Sequence, residues 1–174
     1  MSDASSGPGF FSVAPLHTNE EERIASLRKT GLLDSTPDPR FDDITKLAAS
    51  TFEVTTAVVS LIDVDRQWFL SSCGLSASET SRDVAFCAHT INEDQFMVVG
   101  DAQADPRFMN NPLVTSDPYI RFYAGVIISD PSGLPLGTLC IFDPKPRMFG
   151  MQEQNTLRMM AKMLGQEIFK PGGN

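Results

Sequence analysis

The chain has 174 residues, which fits one domain, and 41% of them are hydrophobic, enough for a sizeable core. Lys and Arg number 14 against 22 Asp and Glu, a net charge of -8. Without a basic cluster, that balance excludes nucleic-acid binding by phosphate neutralisation. No apolar run approaches the ~20 residues of a membrane span and no signal segment opens the chain, so a cytoplasmic protein with no membrane partner is expected.

Residues 1–16 are rich in Ser, Gly and Pro and have no period, the composition of a flexible tail. A folded domain is expected over 17–170, followed by a short flexible tail at 171–174. Thr18, with Glu21 three residues on, reads as a capping box opening a first helix. Ile24 and Leu27 give that helix an apolar stripe, and Gly31 stops it. Asp38-Pro39 is a cap followed by proline at the first helical position. Phe41, Ile44, Leu47, Ala48 and Phe52 then predict an amphipathic second helix.

Val54 to Asp63 is rich in Val, Ile and Thr, which favour a strand. Asp63-Val64-Asp65 turns the chain into a second strand over Arg66 to Cys73, with Trp68 and Leu70 opposing Phe69 and Ser71. Gly74 to Asp83 is polar and reads as a loop. Val84 to Ile91 is short and is expected to form a helix capped by Asp83. Met97 to Asp101 is a short strand. Asp105-Pro106 predicts a helical turn through Met109, which Asn110-Asn111-Pro112 ends.

Ile120 to Asp143 holds two apolar runs around Asp130-Pro131-Ser132-Gly133, the composition of a β-hairpin. Alternation puts Phe122, Ala124, Val126 and Ile128 on one face and Arg121, Tyr123, Gly125 and Ile127 on the other. The second run splits into Leu136, Thr138, Cys140 and Phe142 against Gly137, Leu139 and Ile141. Few of these positions are polar on either face, so both strands are expected to be central and covered on both sides. Met151 to Phe169 predicts a long last helix with Leu157, Met160, Ala161, Leu164 and Ile168 inward. Strands in hairpins with helices gathered at the chain ends make an α+β layout, the two terminal helices sharing a face of the sheet.

Several segments carry a resemblance: T-S-R-D-V-A-F-C-A-H-T-I, V-G-D-A-Q-A-D-P-R-F-M-N-N-P-L-V, I-R-F-Y-A-G and L-G-T-L-C-I-F-D. Together they resemble the GAF domain, in the subgroup found at the N-termini of bacterial sensor kinases and diguanylate cyclases. The resemblance covers Thr18 to Phe169. It implies an α+β fold, an antiparallel sheet of five to six strands with helices on both faces, and a small-molecule pocket on one side. It does not imply one ligand or cofactor, because one fold hosts many functions.

Candidate pocket residues are Trp68, Phe86, Cys87, His89, Arg121, Tyr123 and Thr138, with Cys140 a further candidate. Cys87 reads either as a reactive thiol activated near a helix start or as a small core side chain. His89, two residues on, does not share its helical face. Arg121 on a central strand must be paired, either by an anionic ligand or by Asp83, Asp101 or Asp105. Trp68, Phe86, Phe108 and Tyr123 serve equally as walls for a planar ligand or as plain core. Cys73, Cys87 and Cys140 form no C-x-x-C, so a zinc or thioredoxin-type site has no support, and free thiols in a reducing compartment are expected.

The leading expectation is a non-catalytic sensory module that binds a small molecule and signals to an output domain or protein through its terminal helices. Those helices suit a two-fold dimer, because Met159 and Met163 lie off the main stripe of the last one. The enzyme alternative is similarity to the free methionine-(R)-sulfoxide reductase, which pairs a nucleophilic and a resolving cysteine. Cys87 falls where that family keeps one cysteine. The second, in G-H-I-A-C-D, has no equivalent here, so Cys140 or Cys73 would have to replace it. A third alternative is a bilin photoreceptor, whose Cys-His pair C-A-H matches only loosely. The cyclic-nucleotide signature of other GAF domains cannot be assembled.

Overall fold

A computed structural model describes residues 10–170; the expected tail at 171–174 and the first nine residues lie outside the described part. A six-stranded antiparallel sheet in the order β3-β2-β1-β6-β5-β4 forms the middle layer. Its strands are β1 (Thr56–Ile62), β2 (Arg66–Cys73), β3 (Glu79–Ser81), β4 (Phe96–Val99), β5 (Phe122–Ser129) and β6 (Pro135–Asp143). The expected hairpin is β5–β6, and every residue of β6 is buried. β3 is an edge strand within the stretch expected to be loop.

On one face lie α1 (Glu20–Lys29), α2 (Pro39–Phe52) and α5 (Met151–Ile168). They cover an apolar cluster that includes Leu27, Phe41, Ala48, Leu139, Ile141 and Leu164. The opposite face carries α3 (Phe86–Thr90) and α4 (Pro112–Thr115), with a second cluster around Phe86, Phe108, Tyr123 and Phe142. The terminal helices therefore share a face, as expected.

Local chemistry explains both the agreements and the departures. Asp38 caps α2 by accepting from the Arg40 N–H at 2.9 Å, with Pro39 at the first helical position. Within α2, Thr45 is buried and Leu47 is 48% exposed, reversing the expected stripe. At 100° per residue, position 47 lies about 240° from Phe41 while position 45 lies about 40° from it. Thr45 then satisfies its hydroxyl with the Ser71 hydroxyl at 2.9 Å.

The capping box is absent: Asn19 stands at the cap of α1 without a side-chain bond. Nor does Asp83 cap α3. The cap position is Ala85, and Ser81 instead accepts from the Asp83 N–H to close a 3-10 turn over Arg82–Val84. Asn111-Pro112 begins a helix rather than only ending a turn, since the Asn111 side chain accepts from the Leu113 N–H at 2.9 Å.

Two strand irregularities shift side chains between faces. A bulge in β2 opposite Val59/Ser60 sends Ser71 to the α2 side, where it meets Thr45 and Asp42. Another, where the pairing slips between Ile128 and Ser129, places Leu136 with Leu139 in the α-covered cluster rather than with Thr138.

Candidate functional site

A cavity of about 180 Å³ lies between the sheet and the α3–α4 side. Val58 comes from β1, Phe69 from β2, Tyr123 from β5, Cys140 and Phe142 from β6, and Phe86 and Cys87 from α3. These positions follow from period two along each strand, since residues i and i+2 line one face. Gln67 and Thr80 add polar groups, tied by a 3.0 Å bond from the Gln67 amide nitrogen to the Thr80 hydroxyl. A larger trough of 860 Å³ runs along α5, but it is an open surface feature rimmed by Asp94, Asp130, Arg158 and Lys162. It contains none of the sequence-predicted site residues.

Aromatic packing fixes α3 over the cavity. The Phe86 and Phe108 rings stack with centroids 4.0 Å apart, and Phe86 meets Tyr123 at 5.2 Å. The Tyr123 ring folds back along its own strand over Gly125. A Cβ at position 125 would sit 2.2 Å from the Tyr123 hydroxyl. That hydroxyl bonds Thr90 at 2.8 Å and the Cys87 sulfur at 3.2 Å.

Cys87 is the centre of this polar cluster. The Thr138 hydroxyl donates to its sulfur at 3.0 Å, and Thr138 in turn shares a 3.3 Å bond with Ser60. The Cys140 sulfur is 3.7 Å away. Burial pushes the Cys87 thiol up, but hydrogen bonding with Cys140, Ser60, Thr138 and Tyr123 outweighs it and brings the pKa down to about 7. The same contact with Cys87, together with burial, holds Cys140 well above the usual thiol range. Burial and the neighbouring Cys87 do likewise for Tyr123. The lowered thiol therefore owes its shift to the hydrogen-bonding groups around it, and His89 is not among them.

The remaining predicted residues lie elsewhere. Trp68 sits in the α-covered cluster on the opposite face, so the cavity wall from β2 is Phe69 instead. His89 points away from Cys87: its Nε2 lies 3.2 Å from the Ser12 carbonyl, and its ring meets the edge of Phe108 at 4.9 Å. Burial lowers its pKa. Arg121 meets neither a cavity nor an expected aspartate. It donates to the Val114 carbonyl at 2.9 Å and the Ile120 carbonyl at 3.1 Å, pinning α4, while Asp105 pairs with Arg107 at 2.8 Å. Thr138 lies behind Cys87, out of the wall.

Gln67, Phe69, Leu75 and Phe142 were missed as wall residues. Alternation already opposed Phe69 to Trp68, and only the pairing of β2 with β1 decides which of the two faces α3.

The GAF domain family model matches residues 36–168. The chain belongs to the GAF family. Its six-stranded antiparallel sheet, clad by helices, agrees with that assignment. A GAF domain of phosphoenolpyruvate-protein phosphotransferase from Coxiella burnetii superposes with TM-score 0.62 at 15% identity, covering 87% of this chain and 95% of that one. The free methionine-R-sulfoxide reductase of Neisseria meningitidis, solved with its substrate, superposes with TM-score 0.60 at 19% identity over 90% and 92% of the two chains. Both likenesses speak to the fold alone. A cyclic di-GMP phosphodiesterase of Pseudomonas aeruginosa is 41% identical over 133 residues. That match takes in 76% of this GAF chain but only 23% of the relative's length. Among the described residues, no helix is long and apolar enough to cross a membrane, and no cluster of His, Cys, Asp or Glu is placed to hold a metal ion.

Proposed function

We propose that this GAF domain is a non-catalytic sensory module that binds a small molecule in the 180 Å³ cavity and passes its occupancy to a signalling output. The observation that carries this reading is the cavity itself, mostly apolar and furnished with a few convergent polar groups, as ligand sites are. Its size limits the ligand. An apolar cavity of about 150 Å³ accommodates benzene, so this one suits a molecule of one or two small rings. A tetrapyrrole or a cyclic dinucleotide is far larger, which speaks against the bilin alternative. It also separates this domain's ligand from the substrate named for the Pseudomonas relative.

β6 supplies a route for the signal. Cys140 and Phe142 face the cavity, while Leu139 and Ile141, on the same strand, support the layer containing α1 and α5. A shift of β6 on ligand binding would be felt by both terminal helices, provided the ligand has different affinities for the two arrangements. The output is a domain or protein of the kind that makes up the rest of a signalling enzyme, and a cytoplasmic setting fits it.

The test compares native with denaturing mass spectra of the purified protein and of Leu113→Trp, which fills the cavity from α4. The expected result is a non-covalent adduct in the wild type, or a rise in Tm with indole-sized probes, lost in a variant whose circular dichroism is unchanged. A bare wild-type mass with no Tm response to any such probe would overturn the reading.

A further inference from the structure

Cys87 and Cys140 come from elements 53 positions apart in sequence, yet their sulfurs are 3.7 Å apart and both line the cavity. A disulfide needs about 2.05 Å between sulfurs, so the pair is roughly 1.7 Å short of bonding distance, within the reach of small rotations of the two side chains. Their surroundings are unequal. The Thr138 hydroxyl donates to the Cys87 sulfur at 3.0 Å and the Tyr123 oxygen lies 3.2 Å from it, and hydroxyl protons turned to the sulfur stabilise negative charge there. Each thiol is otherwise almost wholly buried, 2% and 3% exposed, so the cavity is the way in, and it admits only something small.

We propose that Cys87 and Cys140 form a peroxide-reactive thiol pair, with Cys87 as the attacking sulfur and Cys140 as the resolving one. The Cys87 thiolate attacks one oxygen of hydrogen peroxide. The S–O bond forms as the O–O bond breaks, leaving a sulfenic acid on Cys87 and a hydroxide that takes a proton from solvent. The Cys140 sulfur then attacks the Cys87 sulfur. The S–S bond forms, the S–O bond breaks, and the departing hydroxide takes the proton of Cys140 to leave as water. The two thiols together lose two electrons, and the peroxide gains two as it becomes two waters.

The lowered pKa of Cys87, beside a Cys140 held high, agrees with this division of roles. Cys73 has no such setting. It is half-buried at the end of β2, paired in the ladder with Ala57. The bond would tie α3 to β6 at the cavity wall, so oxidation would alter the shape of the space open to a ligand.

The inference does not depend on a ligand being bound, so its test is separate from the one above. The reduced protein is treated with hydrogen peroxide, quenched with an alkylating agent, denatured, and mapped by mass spectrometry. The expected result is a loss of two hydrogens reversed by dithiothreitol, with a Cys87–Cys140 cross-linked peptide. Cys140→Ser should accumulate a dimedone-reactive sulfenic acid on Cys87, and Cys73→Ser should behave as the wild type. Peroxide that oxidises Cys73 while leaving Cys87 and Cys140 alkylatable in the wild type would overturn the proposal, as would Cys87 passing to sulfinic acid with no cross-link. Because the decisive readings come from the wild type, a serine variant that fails to fold does not blunt them.

Discussion

Gly125 has one task, set by its neighbour two residues earlier. Tyr123 and Gly125 share a face of β5, and the absence of a side chain at 125 lets the Tyr123 ring lie down along the strand. Gly125→Ala would drive a methyl into the Tyr123 hydroxyl and push it from Thr90 and Cys87. Overpacking of this kind, with a buried hydroxyl displaced, costs about 1–3 kcal/mol. A urea titration should show a lower midpoint with an unchanged slope; an unchanged midpoint would contradict the account. The pairing of Tyr123 with Gly125 was legible from alternation alone. The place of Tyr123 beside Cys87 was not, because Cys87 lies on a separate short helix whose position depends on the Phe86–Phe108 stack. Trp68 failed for the converse reason. Within one strand, period two tells which residues are together but not which side they look to.

The N-terminal helix is held by charge as well as by its apolar stripe. Arg23, fully buried on α1, bonds Glu20 and reaches toward the Pro135 carbonyl at the start of β6. Arg82, in the turn before α3, reaches the same Glu20 and the Asp63 carbonyl. Burial raises the Glu20 carboxyl, but hydrogen bonds from Arg82 and Arg23 outweigh this and bring its pKa from 4.5 to about 2. A carboxylate depressed by folding stabilises the protein above its unfolded pKa. That contribution fades as pH falls from about 4.5 toward about 2. Glu20→Gln should therefore lower the unfolding free energy at neutral pH by about 2–3 kcal/mol, for charged donors left without their partner. It should also flatten the loss of stability between those pH values, as denaturation at several pH values would show. An acid limb as steep as the wild type's would sink the assignment. Glu20, the first residue of the helix, is engaged by two arginines, one of them 62 positions away, and no local motif announces that. Asp38-Pro39 was readable because both halves of its cap are adjacent in sequence.

At the scale of the whole molecule, the shared face of the two terminal helices followed from patterns of apolar residues along the chain, while helices on both faces of the sheet came with the resemblance. The surface of α5 carries a further expectation. Met159 and Met163 are 66% and 47% exposed, beside a buried stripe of Leu157, Met160, Ala161 and Leu164. If those methionines meet a second copy, Met159→Lys with Met163→Lys should convert a dimer to a monomer in size-exclusion chromatography with light scattering, leaving Tm little changed at low concentration. A wild-type protein that is monomeric at high concentration, or a double variant that stays dimeric, would dismiss this interface.

The stretch ahead of α1 also bears on how such a module would feel its surroundings. The Ser12 N–H donates to the Arg107 carbonyl at 3.2 Å, the Ser12 carbonyl meets His89, and the Asn92 side chain donates to the Pro15 carbonyl at 2.8 Å. A pull on residue 10 would not load α1 first. It would load Ser12, and through it the helix that carries Cys87, then Pro15, and only afterwards the clasp at Glu20. The stretch would therefore let go one fastening at a time, first at α3 and the turn after it, before α1 itself was disturbed.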